Sequence, residues 1–170
     1  MNIPEDQRPS WYLEPFEGES VSHYFGRFRH QPAVSIPKPS QLSQLAGIGP
    51  ALFRWEQFYF NPPPTRKELE ALAQLVSLDL RQLEEMFPPA SERTLCRSIR
   101  LCAACYLETP YHRKEWQFQS VEGCEKHRLR LLSRCPGCNT KIALPRDWSQ
   151  GRCLNCGMRF ESMVRYQKAY

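Results

Sequence analysis

The 170 residues predict a small α+β protein, an N-terminal all-α helix-turn-helix domain followed by two tandem zinc-finger/zinc-ribbon modules, and three observations carry that prediction. Capped amphipathic segments crowd into residues 20–95. All eight cysteines lie beyond residue 95, and seven of them are separated by two intervening residues from a second cysteine or a histidine. Charge divides at the same place: residues 1–95 hold nine basic side chains against twelve acidic ones, residues 96–170 fourteen against six. The expected organisation is an extended arm over 1–19, a helix-turn-helix domain over 20–95, zinc module 1 over 96–134 and zinc module 2 over 135–170.

The arm holds Trp11, Tyr12 and Phe16 among prolines and acids. Ser20 is suited to cap a first helix whose apolar positions Val21, Tyr24, Phe25 and Phe28 repeat at i, i+3, i+4 and i+7. Pro32, Pro37 and Pro39 then forbid regular structure over 31–39. Ser40 is the expected cap of a short helix carrying Leu42, Leu45 and Ala46 and ended by Gly47; Pro50 opens a segment with Leu52, Phe53, Trp55 and Phe58, broken by residues 61–64. Thr65 with Glu68 forms a capping box before Leu69, Leu72, Leu75 and Val76. Asp79 with Gln82 forms a second before Leu80, Leu83, Met86 and Phe87. Only Ser77 and Leu78 intervene, so two short helices must turn sharply against each other. A helix that reads DNA needs donors near its start. The second helix here offers Arg81 against Glu84 and Glu85, which favours packing or protein docking over base reading.

The longest apolar runs are a few residues, far short of the ~18 that span a bilayer, so no membrane is expected. Residues 1–11 contain acids and prolines in place of an apolar signal region, which points to a reducing cytosol where cysteine sets bind metal more often than they pair as disulfides.

Cys102-x2-Cys105, eighteen residues, then Cys124-x2-His127 gives one four-ligand set. Cys135-x2-Cys138, fourteen residues, then Cys153-x2-Cys156 gives another. Two intervening residues let one tight turn aim two ligands at one ion, and two such turns complete the tetrahedron of structural Zn²⁺. Two structural zinc ions are therefore expected. His112 competes with His127 as the fourth ligand of the first set, and Cys96 is left over as a small buried residue. Residues 96–170 offer few large apolar side chains, so zinc, worth on the order of 10–16 kcal/mol per site in small peptides, is expected to hold them together; chelation should unfold this half first and leave the helical half standing.

Four filled positions leave no place for a reactive water. There is no H-E-x-x-H helix, no H-x-E with P-C-x-x-C as in nucleobase deaminases, no phosphate-binding G-x-x-x-x-G-K-[ST], and no βαβ pattern beside a C-x-x-C pair. No enzymatic activity is expected. Arg113, Lys114, Lys126, Arg128 and Arg130 cluster around the first ligand set with Tyr111, Trp116 and Phe118 interleaved. Such a surface suits phosphates and stacked bases, and equally a solvated face over a core holding Trp116 and Phe118; both readings stand at this point.

The segment Pro15-Phe16-Glu17-Gly18-Glu19-Ser20, then Leu101-Cys102-Ala103-Ala104-Cys105, Trp116, and Cys124-Glu125-Lys126-His127-x7-Cys135-Pro136-Gly137-Cys138 resembles the TniQ family of transposition target-selection proteins, over about residues 11–160. So short a chain is similar to the TniQ proteins of type V-K CRISPR-associated transposons. The resemblance implies a non-catalytic adaptor joining a CRISPR effector with its guide RNA and target DNA R-loop to the AAA+ regulator TnsC. By that analogy the acidic half docks on TnsC, with Trp11, Tyr12 and Phe16 as its contact residues. Trp11 is equally readable as a lid over the chain's own first helix. The basic zinc half would then face nucleic acid or the effector. The rival reading is a sequence-specific zinc-containing DNA-binding transcription regulator, and a purely structural zinc protein is a third. Counting thiolates and two Zn²⁺ lowers the formal charge from +5 to about +2, which suits bridging two partners better than generic DNA binding.

Overall fold

A computed structural model describes residues 7–92 and 94–170; residues 1–6, the first part of the expected arm, lie outside it. The described chain is mainly helical with a small two-stranded antiparallel sheet. Among the described residues no helix is long and apolar enough to cross a membrane.

Helix α1 spans Val21–Arg29, and the Ser20 hydroxyl accepts from the His23 amide as expected of its cap. Its apolar stripe, Val21, Tyr24, Phe25 and Phe28, enters a first core with Leu42, Leu52, Trp55, Leu72, Val76 and Leu83. The other face of α1 is buried as well, at Ser22, His23, Gly26 and Arg29, because the 3-10 segment Pro145–Gln150 lies against it. The Ser22 hydroxyl accepts from the Arg146 amide at 3.3 Å. A β-carbon on Gly26 would come within 2.5 Å of the Arg146 α-carbon. Helical periodicity exposes one stripe; the second, made of small and polar residues, is the seam between the two halves of the chain.

Helix α2, Pro39–Leu45, starts two positions earlier than the sequence suggests. Lys38 is the cap, and Pro39 takes the first helical position, for which its fixed φ is preset, leaving Ser40 inside the first turn. Leu42 and Ser43 are buried, whereas Leu45, expected in the apolar stripe, is 64% exposed. Helix α3 is confined to Ala51–Trp55 because Phe58, expected within it, adopts φ +60° and turns the chain. Phe53 points outward beneath the Arg146 guanidinium, 5.4 Å away. Arg29 and Glu56 form a fully buried ion pair at 2.8 Å that ties the end of α1 to the end of α3. Both expected capping boxes form: Thr65 with Glu68 opens α4, Arg66–Val76, and Asp79 with Gln82 opens α5, Leu80–Glu84. Ser77, in left-handed conformation at φ +58°, makes the turn between them. At five residues, with Glu84 and Glu85 exposed at its end, α5 is a short packing helix.

The second core contradicts the expectation of a poor one. Leu101, Tyr106, Trp116, Trp148, Phe160 and Met163 are all buried in it. The Trp148 ring stands edge-on to Phe160, His112 and Tyr106 at 5.0, 5.1 and 5.7 Å. These aromatics are scattered over some sixty positions and follow no period, so no local pattern announces the core they form. Around it run α6, Ala103–Glu108, and the strands β1, Gly123–Cys124, and β2, Leu129–Arg130. The tail then returns alongside β2: Arg130 N donates to Lys168 O at 2.8 Å and Tyr170 N to Arg128 O at 3.2 Å. Gln167 Oε1 accepts from the Ala103 amide at 2.8 Å, capping α6 from sixty-four residues away.

Candidate metal centres and their surroundings

Cys102 occupies the cap position of α6 and Cys105 lies in its first turn; Cys124 ends β1, and His127 sits in the turn before Arg128, which has φ +54°. The Cys105 sulfur lies 3.4 Å from that of Cys124, and His127 Nδ1 lies 3.3, 3.5 and 3.8 Å from Cys105, Cys124 and Cys102. Zinc with about 2.3 Å bonds to sulfur and about 2.0 Å to nitrogen needs tetrahedral edges of roughly 3.5–3.8 Å, so the donor spacing fits. The second set fits as well: Cys135 to Cys156 is 3.5 Å and Cys138 to Cys153 is 3.6 Å. Each of its C-x-x-C turns is a miniature hairpin. Cys135 N donates to Thr140 O and Cys153 N to Met158 O, both at 2.8 Å, and Asn139 and Gly157 take the left-handed conformation that closes each turn.

Both clusters place four donor atoms within 4.8 Å of one another and could hold a metal ion. Without one, the thiols of each set cannot ionise together. Hydrogen bonding from Cys105 pulls Cys102 down to about 5, while Cys102, burial and Cys124 push Cys105 far up, and burial raises Cys124. In the second set, hydrogen bonds from Thr140 and Asn155 bring Cys138 down to about 5 and burial pushes Cys135 up to about 12. A divalent cation held at the centre would let all of them be thiolates. Four donors would fill the tetrahedron of an ion held there and leave no open position on it.

The competition between His127 and His112 resolves in the core. His112 is fully buried among Phe58, Trp116 and Trp148, its Nδ1 2.9 Å from the Ser20 hydroxyl, and burial holds its pKa well below the usual imidazole value. It stands apart from both clusters. Cys96, expected to be buried, is only half so; its backbone is what matters, accepting from Gln117 Nε2 at 3.2 Å and donating to Gln117 O at 2.7 Å.

The interleaved aromatics are not available for stacking on bases: Tyr111, Trp116 and Phe118 are all buried. The five basic residues have separate settings. The Arg113 guanidinium lies 5.0 Å over Tyr111, and Lys114 reaches the Glu85 carbonyl across the seam. Lys126 pairs with Glu108. Arg128 lies 5.7 Å over the Tyr170 ring, and Arg130 is exposed on β2.

In the arm, Tyr12 packs on the first core with its hydroxyl donating to Glu14 at 2.8 Å, and Phe16 stacks on Tyr111 at 4.7 Å beneath Arg27. Trp11 remains 42% exposed, and its carbonyl accepts from Gln31 Nε2 at 3.3 Å. Glu108 and Gln167 escaped the sequence reading, and Glu19 entered it only within the segment 15–20, with no role of its own. The buried Glu19 carboxylate receives His23 and, at 2.6 and 2.8 Å, Arg27. Burial pushes it up, but those hydrogen bonds prevail and hold it below the usual carboxylate range. The Glu-x3-His-x3-Arg spacing was the available signal. Beside it Ser20 N donates to His112 O at 3.0 Å and Lys114 N to Gly18 O at 3.0 Å, so residues 15–20 clamp the helical half to residues 111–114.

The TniQ family profile matches residues 11–131, from the exposed tryptophan through the first metal cluster. No curated protein matches the chain.

Proposed function

The chain belongs to the TniQ family, whose profile covers more than half of it, and is thus a transposition-associated protein; from that premise we propose that it is a non-enzymatic target-selection adaptor in RNA-guided DNA transposition, linking a CRISPR effector and its guide RNA to the AAA+ regulator TnsC. The family match carries the reading. Two features support it. The chain joins an acidic helical half to a basic metal-binding half through a hydrogen-bonded seam, which suits holding two partners at fixed geometry. Both candidate metal sites have complete donor sets, which suits scaffolding and not hydrolysis.

Trp11 is the proposed anchor for TnsC, because Tyr12 and Phe16 already serve the chain's own packing and Trp11 presents an open ring. Arg128 and Arg130 are the proposed nucleic-acid or effector contacts, joined by Arg113, Lys114 and Lys126 only where their internal partners release them. Retention of the full chain on TnsC filaments tests the assignment. Trp11→Ala should lower retention about tenfold or more, as a hot-spot truncation of about 2 kcal/mol would; full retention by the variant removes Trp11 from the interface. Salt-titrated duplex binding separates the rival: the adaptor binds DNA weakly alone, whereas tight, sequence-dependent binding would instead indicate a DNA-binding regulator.

A further inference from the structure

We propose that Glu108 is the positioning residue of the first metal centre, fixing the tautomer and orientation in which His127 offers its Nδ1 to the ion. The inference rests on that cluster holding a divalent metal and is independent of any role in transposition.

His127 Nε2 lies 2.9 Å from Glu108 Oε1, and a carboxylate can only accept. The proton of the neutral ring therefore belongs on Nε2. That leaves the Nδ1 lone pair bare, on the side where three cysteine sulfurs lie 3.3–3.8 Å away. The other carboxylate oxygen is engaged by Lys126, the residue preceding His127. The same short helix supplies a ligand and the orienting group: Cys105 and Glu108 are three apart on α6 and share a face. One carboxylate thus receives both the ring and the lysine next to it, and the turn that carries His127 is pinned on both sides. While it pairs with Glu108, Lys126 accordingly supports the metal centre from outside. The second cluster has four sulfur donors and needs no tautomer, so nothing equivalent is required there.

Outer partners of this kind typically set metal affinity by about 10–100-fold. The test uses the full chain loaded with two equivalents of Zn²⁺, challenged with a chromophoric chelator, alongside a Co²⁺-substituted sample whose absorption separates a donor set of three sulfurs and one nitrogen from one of four sulfurs. Glu108→Ala should weaken the mixed sulfur–nitrogen site about 10–100-fold and leave the all-sulfur site at its wild-type affinity. Glu108→Gln, whose amide oxygen still accepts from Nε2, should recover most of that loss. In long-range ¹H–¹⁵N spectra the Nε2 proton of His127 should be slowed in exchange with water in the wild type and Glu108→Gln, and fast in Glu108→Ala. Wild-type affinity at the mixed site in Glu108→Ala would overturn the proposal, and so would an equal loss at both sites, which marks general destabilisation. A Glu108→Gln variant as weak as Glu108→Ala would also overturn it, by showing that charge and not hydrogen-bond acceptance matters.

Discussion

Replacing Gly26 by alanine tests the seam on which the architecture depends. In an exposed helix interior this change would stabilise the protein by roughly 1 kcal/mol, because alanine restricts the unfolded chain and suits the helix better. Here the added β-carbon would meet Arg146 backbone atoms at 2.5, 2.6 and 2.9 Å, whereas ordinary contact begins at 3.4 Å. No side-chain rotation relieves a clash with backbone, so α1 and the Pro145–Gln150 segment must separate by close to 1 Å. Overpacking of this kind costs about 1–3 kcal/mol or more, and the separation stretches the 3.3 Å bond between Ser22 and the Arg146 amide. A backbone clash this close belongs at the upper end of that range, about 2–3 kcal/mol, so after the local gain of about 1 kcal/mol the cost wins by about 1–2 kcal/mol. Thermal unfolding of the zinc-loaded protein should show a midpoint lower by several degrees, at roughly 2–4 °C per kcal/mol for a chain of this size. An unchanged or higher midpoint for Gly26→Ala would refute the close approach, and with it the claim that the helical half leans on the metal half.

The buried pair gives a second test: Glu56→Ala leaves Arg29 buried with neither counter-charge nor acceptor and should cost about 3–5 kcal/mol, read from denaturant midpoints, whereas Glu56→Gln keeps the shape and polarity of the protonated carboxyl. Burial pushes the Glu56 carboxyl up to about 7 against the pull of Arg29. Between the usual carboxylate value and about 7, then, the folded chain keeps a proton that the unfolded chain has released. Its proton-linked contribution is complete below the usual carboxylate range and fades as pH rises toward 7, so the Gln variant should flatten the pH dependence in that window. Chelation should abolish the near-ultraviolet signal of Trp116 and Trp148, since zinc energies of about 10–16 kcal/mol per site rival the whole stability of a domain. Amide exchange should then show α4 still protected and α1 weakened, because one face of α1 rests on Pro145–Gln150; a metal-free chain with its near-ultraviolet signal intact would sink this account.

Local chemistry was legible wherever one short stretch of chain decides the outcome. Ser20, Thr65–Glu68 and Asp79–Gln82 mark helix starts because a cap satisfies backbone amides two or three residues away. The eight metal-site residues were readable because a two-residue spacing is itself a turn geometry. Lys38 displacing Ser40 as a cap shows the limit: two nearby residues could each precede the helix, and the ring of Pro39 chose between them.

The sequence by itself determined that this chain caps short helices in its first half, gathers two sets of four metal donors in its second, and carries the signature of its family. Only the tertiary structure decided which histidine lies with the sulfurs, placing His112 in the core and His127 in the first cluster. It also decided that the aromatics near the basic residues are core, that the small face of α1 is a seam, and that Gln167 caps a helix sixty-four residues back. The division has one physical cause. Caps and ligand turns are held by neighbours in sequence, whereas burial is settled by the far side of a residue, and what covers that side comes from a distant part of the chain.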